Sequence, residues 1–208
     1  VNVVKGRLVA QDLTKIFDTD VISWDNDRTN GDLADGLTFP AEFMPPQVLM
    51  KNSENGLWPC DGAALDRGPE SLQTRRISFK YPSKLDDAKN AITCKGQTIN
   101  LKSGKYAAVH ILAASAQDAS SDVALVYGAR SMTVPVKFTA WITKPKFDEH
   151  AAFHALHRHS ADGDQPGIPC YLNHYSIPAD AAAELTSIRL PNDPAVKILA
   201  ITLEKAGQ

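Results

Sequence analysis

Two segments of the 208-residue chain concentrate the side chains that could bind a metal or a ligand. The first, residues 18–55, is rich in Asp, Asn, Gly and Pro. Calcium suits such a segment, because it takes about six to eight oxygen ligands without strict geometry. The spacing differs from an EF-hand, and the alternative is a set of Asx turns. The carboxylates that we consider as calcium ligands are Asp25, Asp27, Asp32 and Asp35.

The second segment, residues 147–167, holds four of the six histidines: His150, His154, His157 and His159. On a helix the first three would share a face, which zinc or nickel could use in a small metal-dependent hydrolase or lyase. However, the segment lacks the HExxH pattern of zinc proteases. We therefore interpret it as a long loop, in which His157, Arg158 and His159 supply polar contacts to a ligand.

Two tryptophans lie beside these polar segments. Trp24 is inside the Asp/Asn-rich segment, and Trp141 ends an apparent strand just before the histidine segment. Sugar-binding sites combine an aromatic ring, which covers the apolar C–H face, with polar groups for the hydroxyls. We expect Trp24, Asp35 and Trp141 to contribute to such a site, and core packing is the alternative for both rings.

Other kinds of chemistry find little support in the sequence. There is no GxSxG, SxxK, GxGxxG or P-loop pattern. The net charge of −2 argues against a nucleic-acid partner. The longest uncharged apolar run, residues 106–116, is about half of what a bilayer helix needs, so we expect no membrane partner. Cys60, Cys94 and Cys170 allow at most one disulfide, and buried free thiols are the alternative.

The elements that must position these residues look like short strands between dense turn signals. Residues 131–141 alternate apolar and polar, which is typical of a half-buried strand, and Pro135 on the polar face indicates an edge or a bulge. Residues 195–204 are apolar at nearly every position, as in a strand covered on both faces. A hairpin turn is predicted at residues 128–130. We predict an all-β, antiparallel jelly-roll β-sandwich with long loops, forming one domain over residues 1–208.

Three phrases of the sequence resemble a known group of domains. They are FDTDVISWDNDRTNGDLADGLTFPAEFMP, NAITCKGQTINLKSGKYAAVHILAASA and LTSIRLPNDPAVKILAITLE. In this order they are similar to galactose-binding-like β-sandwich domains that accompany glycoside hydrolases. The combination of HRHSADGD with PCYLNHYSIP is similar to versions that accompany hydrolases of the α-mannosidase type.

The resemblance implies a non-catalytic carbohydrate-binding module or lectin-like domain that recognises glycans through its end loops. It also implies a structural calcium between the first loop and the last strand, which would add Glu204 to the ligands. A glycoside hydrolase catalytic domain is the implied partner, and we expect a secreted or extracellular protein. Two other functions stay open: the metal-dependent hydrolase or lyase based on His150–His159, and a structural domain that packs against a glycoside hydrolase.

Overall fold

A computed structural model describes residues 8–28, 31–44, 57–60, 77–80, 82–85 and 88–207, with backbone alone for residues 57–60 and 78. In these ranges the chain forms strands and no helix. The strands are β1 (Leu8–Ala10), β2 (Ile22–Ser23), β3 (Phe39–Pro40), β4 (Leu57–Cys60), β5 (Ile77–Lys80), β6 (Ile92–Thr93), β7 (Thr98–Ser115), β8 (Ala119–Tyr127), β9 (Arg130–Phe138), β10 (His150–Ser160), β11 (Gly163–Pro178), β12 (Glu184–Arg189) and β13 (Val196–Lys205).

Two antiparallel layers share the long strand β7. Its first part, residues 98–105, pairs with β12, which continues through β8 to β9. Its second part, residues 106–115, pairs with β13 on one side, and the stretch 108–113 pairs with β11 on the other. Beyond these, β10 pairs with β11, and β1 and β6 pair with β13. The predicted all-β, antiparallel sandwich is confirmed.

The layer that contains β13 is covered on both faces. Between the layers, Ile111, Leu125 and Ile201 belong to one buried apolar cluster. On the opposite face, Leu112 and Leu199 belong to a second cluster, which also includes side chains from residues 21–44. All residues of β13 except the last are buried. This confirms the prediction of a strand with two covered faces, and it places the Asp/Asn-rich segment on the outside of this layer.

The hairpin between β8 and β9 also follows the prediction. Tyr127 pairs with Arg130 across a two-residue turn, and Gly128 adopts the positive φ of 66° that such a turn needs. Strand β9 pairs with β8 alone among the described strands, so it is an edge strand. Pro135 is exposed on this strand, and an edge strand tolerates proline because its unpaired side needs no backbone N–H.

The prediction of a long loop over residues 147–167 is wrong. Residues 150–160 form β10, which turns at residues 161–162 into β11. The helical face that His150, His154 and His157 would have shared does not exist, because they lie on a strand. The pairing of β10 slips between Ala151 and Phe153 and again between Ala155 and His157. These bulges break the alternation of apolar and polar residues that would have identified a strand.

Both described cysteine side chains are free thiols. Cys94 and Cys170 are buried and form no disulfide, and the side chain of Cys60 lies outside the described part. Burial raises the pKa of the Cys170 thiol to about 12, so the thiol stays protonated at neutral pH. Across the described ranges, no helix has the length and apolar character needed to cross a membrane.

Candidate functional site

One cluster of polar side chains forms where the Asp/Asn-rich segment meets the turn of the β10–β11 hairpin. In the hairpin, His159 lies opposite Asp164. The backbone of Thr38 bridges to His159 through two hydrogen bonds, of 3.2 and 3.1 Å. These contacts bring the segment's side chains to the imidazole. We call the set Asp25, Arg28, Glu42, His159 and Asp164 the His159 cluster.

The imidazole of His159 is at the centre of the cluster and is 0% exposed. Its Nε2 atom lies 3.3 Å from Oδ1 of Asp25, 3.5 Å from Oδ1 of Asp164 and 3.6 Å from Oε2 of Glu42. Neither Nε2 nor this Glu42 oxygen has a hydrogen-bond partner of suitable geometry among the described residues. On the other side of the ring, Nδ1 lies 3.1 Å from the hydroxyl of Ser23, which in turn contacts the hydroxyl of Thr38.

Arg28 links two carboxylates of the cluster. Its guanidinium donates to Oδ1 of Asp164 at 2.6 Å and also to Oδ1 of Asp25. The hydrogen bond from Arg28 lowers the pKa of Asp164. Burial, followed by the nearby charge of Arg28, lowers the pKa of His159, which favours the neutral imidazole. The cluster therefore combines a neutral ring, one cation and three acidic side chains.

A second feature is an open groove of about 450 Å³ between the two layers. One wall is the edge strand β9, with Val136 and Lys137, and the other is the end of β11, from Tyr175 to Pro178. Beyond residue 174, β11 pairs with β7 but no longer with β10. Phe147, Asp148 and Glu149 close the groove at one end. We call this feature the Phe147 groove.

The Phe147 groove combines an aromatic ring with polar groups. Phe147 is 39% exposed, and Nζ of Lys137 lies 5.5 Å from the centre of its ring. Asp148 is exposed, whereas the carboxylate of Glu149 is buried and holds the Thr139 hydroxyl through Oε1. Its other oxygen has no hydrogen-bond partner among the described residues. Such a surface can hold a ligand with both apolar and hydroxyl-bearing faces.

The carboxylates predicted to bind calcium are not brought together by this fold. Among the described residues, Asp25 is the one member of the predicted set that lies in a group of closely spaced ligand atoms. Asp35 is exposed in a turn, with a φ of 52°. Asp27 and Asp32 lie elsewhere in the segment, outside these groups. Glu204 is buried on β13, where Oε2 lies 3.4 Å from Nε2 of His110.

The residues predicted to bind sugar have several different environments. Trp141 is 1% exposed and packs edge-on against Phe39, so its ring belongs to the core. Trp24 is half-buried, and its indole N–H donates to the carbonyl oxygen of Lys84. These environments match the core-packing alternative for Trp141 and leave part of Trp24 accessible.

Three of the polar residues predicted to bind sugar, His157, Arg158 and His159, lie along β10. Arg158 donates to Oε1 of Gln165 at 2.7 Å, and its guanidinium lies over the ring of Trp141. His157 is half-buried and adjoins His159, with 5.5 Å between the ring centres. Of the predicted contacts, the fold therefore places His157 and His159 at the His159 cluster. Asp35 is outside it.

The sequence did not indicate that Arg28, Glu42 and Asp164 belong to the cluster, or that Phe147 is a partly exposed ring in the groove. For Asp164 a partial signal was present: Asp162-Gly163 is typical of a tight hairpin turn, but a turn at this pair would place Asp164 opposite Ala161, whereas the turn at residues 161–162 places it opposite His159. Glu42 gave no comparable signal, because its position depends on how residues 18–44 pack on the sheet.

The comparisons with known proteins agree with this architecture. The family model of the AziU2-like beta-sandwich domain matches residues 62–207, which is more than half of the chain. This stretch includes the whole Phe147 groove and the β10–β11 hairpin, whereas Asp25, Arg28 and Glu42 precede it. No curated protein matches the chain. The β-sandwich part of the resemblance is thus confirmed, and the chain belongs to the family of AziU2-like beta-sandwich domains.

Proposed function

We propose that this chain is a non-catalytic glycan-binding domain whose ligand lies in the Phe147 groove. The observation that carries the proposal is the position of the half-exposed Phe147 ring in an open groove beside Lys137 and Asp148. Association with a glycoside hydrolase catalytic domain and secretion from the cell belong to the same proposal. They derive from the resemblance in sequence.

The groove has the size and chemistry that a saccharide requires. Its volume of about 450 Å³ falls in the usual range of small-ligand sites, about 300–1,000 Å³. The ring of Phe147 can cover the apolar C–H face of a sugar. Lys137 and Asp148 are exposed at the rim. The ammonium group of Lys137 can donate hydrogen bonds to sugar hydroxyl groups, and the carboxylate of Asp148 can accept hydrogen bonds from them.

The floor of the groove has unused hydrogen-bonding capacity. Oε2 of Glu149 is buried without a hydrogen bond of suitable geometry to a described residue, whereas the hydroxyl of Tyr175 lies within reach of the Asn173 side chain and the Thr139 main chain. Burial, followed by the charge of Glu149, raises the pKa of Tyr175, so the phenol keeps its proton as a donor. A buried polar group without a partner is destabilising by roughly 1–3 kcal/mol. A ligand hydroxyl, or a water molecule beneath the ligand, would supply the missing partner.

This site differs from the end loops that the sequence predicts for glycan recognition. Trp141 cannot offer a ring face to a sugar while it packs in the core. The metal-dependent hydrolase based on His150, His154 and His157 is not favoured, because among the described residues these three do not form a group of adjacent ligand atoms. We therefore assign the glycan to the groove.

The test is a glycan array with the labelled full chain, including mannose- and galactose-containing oligosaccharides. Each hit is then titrated by isothermal calorimetry against the native chain. We expect at least one saccharide to bind saturably, and the signals of residues near Phe147 to shift in a two-dimensional NMR spectrum. If a folded sample binds nothing on the array, or if the shifts cluster away from the groove, the proposal is wrong.

A further inference from the structure

The His159 cluster contains a buried ring nitrogen whose surroundings fit a metal ion. His159 is fully buried, and its Nε2 points among three carboxylates without a hydrogen bond of suitable geometry to a described residue. A carboxylate that simply accepted an N–H from this ring would lie along the N–H direction. Here Asp25, Glu42 and Asp164 surround the nitrogen instead.

The separations between these atoms match those between ligands of one ion. Tetrahedral zinc at about 2.0–2.1 Å from nitrogen and oxygen sets its ligands about 3.3–3.4 Å apart. Nε2 lies 3.3 Å from the Asp25 oxygen, 3.5 Å from the Asp164 oxygen and 3.6 Å from the Glu42 oxygen. The candidate atoms of His159, Asp25 and Glu42 all lie within 4.8 Å of one another.

The fold holds the ring in the orientation that a ligand needs. The main chain of His159 is fixed to that of Thr38 by two hydrogen bonds. Nδ1 of the ring faces the Ser23 hydroxyl at 3.1 Å, and Ser23 is held by the side chain of Thr38. If Nδ1 carries the proton and donates it to Ser23, the lone pair of Nε2 faces the carboxylates. Metal-binding histidines are usually oriented in this way by a partner of the second nitrogen.

The formal charges indicate a divalent ion. Three carboxylates face one guanidinium, that of Arg28, and a histidine that binds a metal ion does so as the neutral imidazole, which adds no charge. The balance is therefore two negative charges in a partly buried space. Arg28 holds the same oxygen of Asp25 that faces Nε2, so an ion bound there must compete with the guanidinium for this carboxylate.

We propose that His159, Asp25 and Glu42 bind one divalent transition-metal ion. An imidazole among carboxylates suits zinc, manganese, iron or cobalt, whereas calcium prefers oxygen ligands alone. His157 and Asp164 form a separate group with His159, so we do not assign them to this ion. The site does not depend on glycan binding, because it shares no residue with the Phe147 groove.

The experiment uses the full chain, freed of metals with a chelator, and Zn²⁺ as the probe. Calorimetric titration gives the stoichiometry and the dissociation constant, and melting with and without Zn²⁺ gives an independent readout. The variants are Glu42→Gln and His159→Asn. Glu42→Gln alters a partly exposed side chain, so it remains informative if His159→Asn does not fold. The controls are His154→Gln and Asp162→Asn, which change exposed residues of the same hairpin.

We expect one Zn²⁺ per chain, binding more than about tenfold weaker in both ligand variants, and unchanged binding in both controls. Titration with Ca²⁺ should give no comparable stabilisation. The proposal is overturned if Zn²⁺ does not bind saturably, if Glu42→Gln binds it as tightly as the native chain, or if the controls lose it instead. Tight binding of Ca²⁺ in preference to Zn²⁺ would also overturn it.

Discussion

The imidazoles of His110 and His174 stack inside the protein, with Nδ1 of His110 3.1 Å from Nε2 of His174. The pair belongs to a polar row that crosses four neighbouring strands. Glu204 on β13 lies beside His110 on β7, and His150 on β10 lies opposite His174 on β11. Burial, followed by the charges of His110 and His150, lowers the pKa of His174 to about 3. His174 is therefore neutral in the folded chain at ordinary pH.

Stability should fall as the pH decreases from 7 to 5. The pKa of His174 is near 6.5 when unfolded and about 3 when folded, so between these values the unfolded chain binds a proton that the folded chain does not. The contribution of His174 to the free energy of unfolding is thus fully present above about pH 6.5. At pH 5 about 2 kcal/mol of it is lost.

Urea denaturation of the native chain and of His174→Gln at both pH values provides the check. The histidine titration is missing from the variant, so its stability should change less between pH 7 and pH 5. Equal pH dependence of the two proteins would show that His174 does not titrate as the buried position requires.

Replacement of Trp141 should affect folding and leave glycan binding intact. Its ring is 1% exposed and contacts Phe39. Trp141→Ala should lower the free energy of unfolding by about 3–5 kcal/mol, as expected for a large core side chain. Phe43→Ala, at a residue that is 52% exposed, should change it by less than about 1 kcal/mol. Urea denaturation measures both, and a small effect at Trp141 would contradict its assignment to the core.

The sequence predicts the sandwich better than it predicts the sites, and the reason is physical. Strand β13 is recognised because both of its faces are buried, and β9 because one face is buried and the other exposed. These are properties of single segments. Strand β7 belongs to both layers, because the chain passes from one layer to the other without a turn, and no local pattern shows this.

The sites depend on residues that are far apart in the sequence. Asp25 is predicted as a calcium ligand, but its neighbours Glu42 and His159 are known only once the segment lies on the hairpin. Glu204 is assigned to calcium by resemblance, and the structure places it beside His110 instead. The two bulges in β10 hide the strand that carries His159. The Phe147 groove arises between two strand ends and has no signature in either strand.

The Phe147 side chain should be important for glycan binding in the groove. Phe147→Ala removes the ring that would cover the sugar. It should raise the dissociation constant about tenfold, which corresponds to a loss of about 1.4 kcal/mol of binding free energy. Phe43→Ala is the control, because Phe43 is also an exposed phenylalanine but lies outside the groove. Calorimetric titration with the best saccharide from the array measures both variants. Equal affinity in Phe147→Ala and the native chain would place the ligand elsewhere.

Arg28 should compete with a metal ion for the carboxylates of the His159 cluster. Its guanidinium binds the same oxygens of Asp25 and Asp164 that face His159. Arg28→Met would leave Asp25 and Asp164 without their cation, and we expect the metal-free chain to lose only a small part of its stability because about half or more of each carboxylate side chain is exposed. With Zn²⁺ present this loss of stability should be reversed, because the ion would neutralise carboxylates that no longer pair with a guanidinium.

Melting and calorimetric titration of Arg28→Met, with and without Zn²⁺, test this competition. Arg130→Met is the control, because Arg130 also pairs with an aspartate, Asp180 at 2.6 Å, but far along the chain from the cluster. We expect tighter Zn²⁺ binding in Arg28→Met and no change in Arg130→Met. Weaker binding in Arg28→Met would mean that Arg28 holds the carboxylates in place for the ion and does not compete with it. The two roles make opposite predictions, so a single pair of variants separates them.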